Sequence, residues 1–299
     1  MSFVARLPGA AVVLVLLGSY VPIRAARLPE APPSAPESPA AQRAIGRFAL
    51  RGSLTQGGLA IGTVPYGTTL LAFDGTSIPV SPDGRFLIAF DRDAGLGAEL
   101  AATLADGSTV REALTIAPRA WDIQRLDTLP KYPVPKPEFD KLRPAEIARI
   151  NAARRMQTDA VGWRQPFLWP VTGRISTLFG SQRIYAGEPG AYHSGIDIAR
   201  PIGTPVLAPA DGVVILAADH PFTLEGNLLM IDHGMGLNSA FMHLSRIDVK
   251  VGEHVRRGQP IGLVGMTGRA TGPHLHWGMK WREARIDPLL VAGPMPVAD

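Results

Sequence analysis

The chain has 299 residues, a net charge of +4 and no cysteine, which excludes disulfides, thiolate metal sites and a cysteine nucleophile together. Hydrophobic content of 46% and charged content of 19% describe a globular protein with room for two domains. The basic balance favours anionic surroundings, but there is no long Lys/Arg run or aromatic-studded basic stretch, so the chain is not read as a nucleic-acid binder.

Residues 1–26 carry Arg6 and then an unbroken apolar run over 10–17. The run is too short for a comfortable membrane span and fits a signal-peptide core. Arg24 makes the cleavage site before Ala25 and Ala26 untidy. An uncleaved anchor, tethering the chain to an inner membrane through residues 8–23, is therefore the competing reading. Either one exports the remainder to the periplasm or cell envelope. Residues 27–45 form a Pro/Ala-rich linker without the apolar mass to fold.

Between 46 and 118, apolar runs at 70–73, 86–90 and 110–116 are separated by Asp74-Gly75, Asp83-Gly84 and Asp106-Gly107. Asp-Gly between apolar runs signals a hairpin because both residues tolerate positive φ. A small antiparallel β-sandwich is expected. Residues 119–163 read as a linker: a stiff polyproline-like connector over 131–137, then a helix with Pro144 in its first turn, running on to Arg155. The arginines of that helix read as a solvated face.

From 164 to 299 the sequence is β-rich and glycine-punctuated, with strands expected over 206–216, 228–231, 238–242 and 260–264. Long connections join them, the longest loop spanning 181–192. A compact all-β domain with its site in a groove floored by strands is expected.

All seven histidines lie in this last part. His274-Leu275-His276 follows a turn rich in glycine and Pro273. Two imidazoles two residues apart cannot share a helix face, but on a strand they project to one side while Leu275 points to the other. In His193-Ser194-Gly195-Ile196-Asp197 even spacing likewise sends the imidazole and the carboxylate to one face of a strand. His243 ends another apolar run. Two imidazoles and a carboxylate, with a fourth position left for water, make an open hydrolytic zinc site. Without sulfur ligands, nickel, cobalt, iron and manganese are not excluded by ligand softness. His233 reads as a turn residue, His220 and His254 as exposed, and Trp277 as packing on the face opposite the site.

These residues resemble the M23 peptidoglycan endopeptidases, the LytM/lysostaphin-like zinc peptidases. The likeness is carried by His193-Ser194-Gly195-Ile196-Asp197, Gly203-Thr204-Pro205-Val206, Ala208-Pro209-Ala210-Asp211-Gly212, Asp232-His233-Gly234, Met242-His243-Leu244-Ser245 and the run 267–277. It implies a mainly β protein: an antiparallel peptidase domain related to barrel-sandwich hybrids, preceded by the extra β domain of many Gram-negative members. It implies one zinc ion per chain held by His193, Asp197 and His276, with His274 and His243 as the assisting pair. In that pair His274 is read as general base and His243 as oxyanion stabiliser, a division the sequence leaves open. The substrate so implied is the peptide stems of peptidoglycan. Some members use an active-site tyrosine, and Tyr185 and Tyr192 are the residues to inspect for one.

Two other readings compete. A catalytically silent relative would bind the wall and activate another hydrolase, although all five site positions are filled here. A lipoyl- or biotinyl-type carrier domain would need a modifiable lysine on a turn, and none lies between Gly212 and Val249.

Overall fold

Aspartate–glycine turns organise the first part of the fold. The computed structural model describes residues 46–126, 136–185 and 188–296; the N-terminal run, the Pro/Ala tract and most of the expected polyproline connector lie outside them. Asp74 (φ 46°) and Gly75 (φ 74°) both take the left-handed conformation and close Thr68–Phe73 onto Thr76–Ile78. That is the geometry a two-residue hairpin turn requires.

Seven strands here form two antiparallel sheets. One has Ala49–Gly52, Leu59–Thr63 and Arg85–Ala89; the other has Thr76–Ile78, Thr68–Phe73, Gly97–Leu104 and Thr109–Thr115. Gly97–Leu104 is rich in alanine and leucine, residues that favour helix. It is a strand because it is paired on both sides, a case of neighbours overriding local preference.

Two expectations for the connecting segments are corrected. The helix runs Lys136–Arg155 with Pro144 in its interior, so Lys136 and Pro137 are helical. Pro137 stands in the first turn, where no N–H is required. Pro144 forfeits one helical hydrogen bond, and contacts with the rest of the protein offset the loss. Arg143 donates to both oxygens of Glu225 at 2.6 and 2.7 Å. Glu146 accepts from the backbone N–H and hydroxyl of Thr223, and Arg149 reaches Asp219 at 2.9 Å. Ile150 and Ala153 pack on Ile215, Leu228, Met230 and Ala240.

The second correction concerns residues 181–192, which form a hairpin rather than a long loop. Gln182–Tyr185 pairs antiparallel with Glu188–Tyr192 and parallel with Ile123–Leu126. The partner is remote in sequence, so no local pattern announces it.

The C-terminal part is built on an antiparallel sheet in the order His254–Val255, Gly212–Ala217, Asn227–Gly234, Leu237–Leu244, His274–Trp281, Gly195–Ala199 and Arg174–Thr177, with Ala284–Ile286 also paired to His274–Trp281. A smaller sheet joins Pro205–Leu207, Pro260–Leu263 and Arg246–Ile247. Along His274–Trp281 the side chains of Leu275, Trp277, Met279 and Trp281 point into the core, none more than 4% exposed. Trp277 packs edge-on against Trp169. One continuous apolar cluster runs from Phe48 through these residues to Ile286, and it leaves the opposite face of the strand to the histidines.

His233 is a fully buried strand residue, not a turn residue. Its Nδ1–H donates to the Asp211 carbonyl at 2.8 Å. Its Nε2 accepts from Ser239 Oγ at 2.9 Å, and Ser239 in turn accepts from Trp277 Nε1. Burial pushes its pKa down to about 4, against partial compensation by the Asp211 carbonyl. Folded His233 thus refuses a proton that the unfolded chain accepts from its ordinary value of 6.5 downward. Stability is intact above pH 6.5 and falls as pH drops toward 4, by about 3 kcal/mol in all. Urea unfolding of metal-free protein at pH 7 and pH 4.5 should show this loss, and His233→Gln should have a measurably shallower pH dependence.

Candidate metal centre

The pairing of Gly195–Ala199 with His274–Trp281 sets Asp197 directly opposite His276. With a two-residue period, His274 and His276 lie on the face that Asp197 occupies. The strand carrying Asp197 begins only at Gly195, so His193 reaches the group from the turn just before it. Its orientation is set by its Nδ1–H, which donates to the Leu178 carbonyl at 3.0 Å, leaving Nε2 directed inward.

His243 arrives by a different device. Alternation along Leu237–Leu244 puts Met242 opposite His276 and would send His243 to the core side. The register with the neighbouring strand slips between Asn227 and Leu229, so that Met242 and His243 together face Leu228. This is a β-bulge, which re-aims side chains. His243 itself takes φ 63°, a left-handed conformation uncommon for a residue other than glycine. Its ring turns onto the active face, with its centroid 4.7 Å from that of His274 and 6.2 Å from that of His276.

Three ligand-type atoms converge. His193 Nε2 is 3.0 Å from both Asp197 Oδ1 and His276 Nδ1, and His276 Nδ1 is 2.9 Å from Asp197 Oδ1. His193, Asp197 and His276 form a group able to hold a metal ion. The donor chemistry fits a cation. With its Nδ1–H committed to Leu178, neutral His193 has only a lone pair at Nε2. His276 carries its proton on Nε2, a buried atom without a partner, when Nδ1 faces the cluster. Two lone pairs and a carboxylate pointing at one spot require a proton or a metal between them. Donors about 2.0–2.2 Å from one tetrahedral ion lie roughly 3.3–3.6 Å apart, so a few tenths of an ångström of opening accommodates zinc.

The electrostatics suit the same reading. Burial alone would raise the Asp197 carboxyl, but hydrogen bonds from His193 and His276 outweigh it and hold the group well below the usual carboxylate range. Burial lowers the pKa of His276 against the pull of Asp197. Burial, with repulsion from His276 and His274, takes His243 down to about 3. Ligand imidazoles must be neutral and ligand carboxylates ionised, and these surroundings favour both states.

The remaining pair is held by backbone carbonyls. His274 Nδ1–H donates to Gly272 O at 2.8 Å, and His243 Nδ1–H to Thr267 O at 2.8 Å. Both rings therefore present Nε2 as a proton acceptor, and His274 Nε2 stands 3.7 Å from Asp197 Oδ1. Tyr192 is occupied in packing: its hydroxyl contacts Asp91 at 2.8 Å and its ring lies under Arg92. The side chain of Tyr185 lies outside the described residues. His220 and His254 are exposed at the surface.

The sequence could not show the orienting carbonyls of Leu178, Thr267 and Gly272, since any residue supplies one. It also could not show why Gly195 stands between His193 and Asp197. A Cβ there would lie 2.6 Å from His276 Nε2 and 2.4 Å from the Trp277 carbonyl.

Comparison with known proteins points to one family for the C-terminal part. Residues 191–288 match the model of peptidase family M23. The peptidoglycan DD-endopeptidase ShyA of Vibrio cholerae is 44% identical over 123 residues, 41% of this chain and 28% of that protein. The DD-carboxypeptidase/endopeptidase Mpg of Neisseria meningitidis is 42% identical over the same shares of the two chains. The chain thus spans little more than a quarter of the length of these relatives. A crystal structure from Pseudomonas aeruginosa assigned to peptidase M23 superposes with a TM-score of 0.60 at 29% identity, covering 80% of this chain and 94% of that one. The class defined by the fold and the family match is that of β-sheet M23 domains. Residues 191–288 form a peptidase family M23 domain.

Gly195→Ala should displace both the His276 ring and the Trp277 carbonyl of the paired strand. Titration against a competing zinc chelator is expected to show at least about a 10-fold loss of affinity, the scale typical when a ligand's support is disturbed, together with a lower urea midpoint than the wild type.

Proposed function

We propose that the chain is an exported zinc metalloendopeptidase that hydrolyses peptide cross-links of bacterial peptidoglycan. The observation that carries this reading is the convergence of His193, Asp197 and His276 with two further imidazoles presenting Nε2 beside them. In it, His193 Nε2, Asp197 Oδ1 and His276 Nδ1 would hold the ion. Zinc held by such a set supplies Lewis acidity, polarising the scissile carbonyl and acidifying water.

The chain's own groups do the rest. His274, fixed through Nδ1 by the Gly272 carbonyl, accepts the proton of the attacking water at Nε2. His243 has its Nδ1–H committed to Thr267 and is neutral at working pH. In that form its Nε2 is an acceptor, placed to orient the water or a substrate N–H rather than to donate to an oxyanion. The proton that His274 takes from water is returned to the leaving amine as the C–N bond breaks. The peptidoglycan substrate and the envelope location draw support from the named activities of the V. cholerae and N. meningitidis relatives and from the apolar run near the N-terminus.

The test is digestion of purified cell walls, with metal content measured on the same samples. Wild-type protein should hold one zinc per chain and release soluble muropeptides. His276→Ala and His193→Ala should lose both metal and release. His274→Ala and His243→Ala should keep the metal while turnover falls by about 10²–10⁴-fold. Stoichiometric zinc without any cleavage by the wild-type protein would favour the silent, activating role instead, and cleavage retained by His276→Ala would overturn the assignment.

A further inference from the structure

Of the three groups that converge on the ion site, His193 alone stands outside the paired strands, and a different part of the protein holds it. Asp197 and His276 face each other across the sheet; the strand that carries Asp197 starts two residues after His193. His193 is gripped instead by residues 178–181. Its Nδ1–H donates to the Leu178 carbonyl at 3.0 Å. Its carbonyl accepts from the Gly180 N–H at 2.9 Å, and its own N–H donates to the Ser181 carbonyl at 2.7 Å. The ring is therefore placed only as firmly as that short segment is.

The segment is fastened from its other side by the part of the chain that precedes the peptidase match. Arg92, shortly after the strand Arg85–Ala89, is 7% exposed. Its Nε–H donates to the Gly180 carbonyl at 2.9 Å and its Nη2 to Gln182 Oε1 at 3.2 Å. Gln182 in turn donates to the Gly190 carbonyl, so one guanidinium braces both sides of the hairpin that leads back to His193. A planar fork with several donors holds two acceptors in a fixed direction, which an ammonium does not. The third nitrogen is met by Asp93 at 2.9 Å. The guanidinium carbon lies 5.4 Å from the centre of the Trp121 ring and 4.9 Å from that of Tyr192, both within cation–π reach. Trp121 presses on the same spot, since a Cβ on Gly180 would lie 2.1 Å from its ring. Phe179 meets Trp121 and Tyr192 edge-on, and Tyr192, the neighbour of His193 in the chain, donates to Asp91. Arg92 and Trp121 both lie outside the residues that match the family.

We infer that Arg92 is a positioning residue for the metal site: it fixes residues 178–181 and, through the Leu178 carbonyl, the Nδ1–H of His193 and the direction of its Nε2. The inference rests on the metal reading above. It makes the N-terminal sheets a working part of the site, because the residue that steadies one ligand is theirs. Arg164 supplies the comparison. Its guanidinium donates to both oxygens of Asp83 at 2.6 and 3.0 Å, so it joins the same two parts of the chain through a partner outside residues 178–193. Were Arg92 merely adhesive, losing either arginine would have the same consequences.

The test compares Arg92→Gln, Arg92→Lys and Arg164→Gln with the wild type, all as the full chain and without reference to turnover. In competition with a zinc chelator, Arg92→Gln should bind zinc roughly 10-fold more weakly, the lower end of the loss expected when an outer partner of a ligand is removed. Arg92→Lys, which keeps the charge but not the fork, should fall between. Arg164→Gln should match the wild type in zinc affinity even where its urea midpoint drops. In the zinc-loaded protein, the His193 Nδ1–H is followed by ¹H–¹⁵N NMR. It should exchange with water faster in Arg92→Gln and at the wild-type rate in Arg164→Gln. Zinc affinity and exchange in Arg92→Gln equal to those of the wild type would overturn the inference and leave the metal reading standing. An equal loss in Arg92→Gln and Arg164→Gln would do the same, since that is what simple adhesion between the two parts predicts. A wild type that takes up no zinc would overturn the metal reading and the inference with it. If Arg92→Gln does not fold, Arg92→Lys is judged by the same two measurements.

Discussion

The antiparallel register that sets Asp197 opposite His276 is the constraint on which the site depends. In a sheet with a two-residue side-chain period, a slip of one position would carry every side chain of the strand to the other face. Here such a slip would bring Leu275 and Trp277 to the groove and bury both histidines in the core. The register is therefore secured by the core itself: Leu275, Trp277, Met279 and Trp281 fill one side, and their burial fixes what the other side displays. The metal group is in this sense a by-product of hydrophobic packing on its reverse face, and the Trp277–Ser239–His233 hydrogen-bond chain adds a polar lock to it.

On that frame, backbone carbonyls finish the chemistry. Leu178, Thr267 and Gly272 each accept an imidazole N–H, and each thereby decides which nitrogen of a ring is left for the site. Fixing tautomers in this way is what outer partners of a metal-binding histidine do. Because all three are main-chain groups on turns that the sheet positions, the rings are oriented before any ligand arrives. The strained φ of His243 fits the same pattern, since unusual backbone conformations persist where the surroundings over-determine them.

Much of this was legible in the sequence. The His-x-His spacing on a strand, the Asp-Gly hairpin turns and the mainly β class follow from periodicity and turn chemistry, and the motif likeness singled out the residues that the fold brings together. What stayed hidden has a common cause: it depends on partners distant in the chain. The 182–192 hairpin exists through its pairing with Ile123–Leu126. The helix passes through Pro144 because Glu225 and Thr223 hold both sides of that position. His243 faces the site through a bulge opposite Leu228 that simple alternation would deny.

The central claim is that His193, Asp197 and His276 meet on a single ion. Anomalous diffraction at the zinc edge from crystals of the metal-loaded protein tests it most directly. The account predicts one strong peak within bonding distance of His193 Nε2, an Asp197 carboxylate oxygen and His276 Nδ1. Zinc bound elsewhere, or a peak missing any of these three contacts, would contradict it.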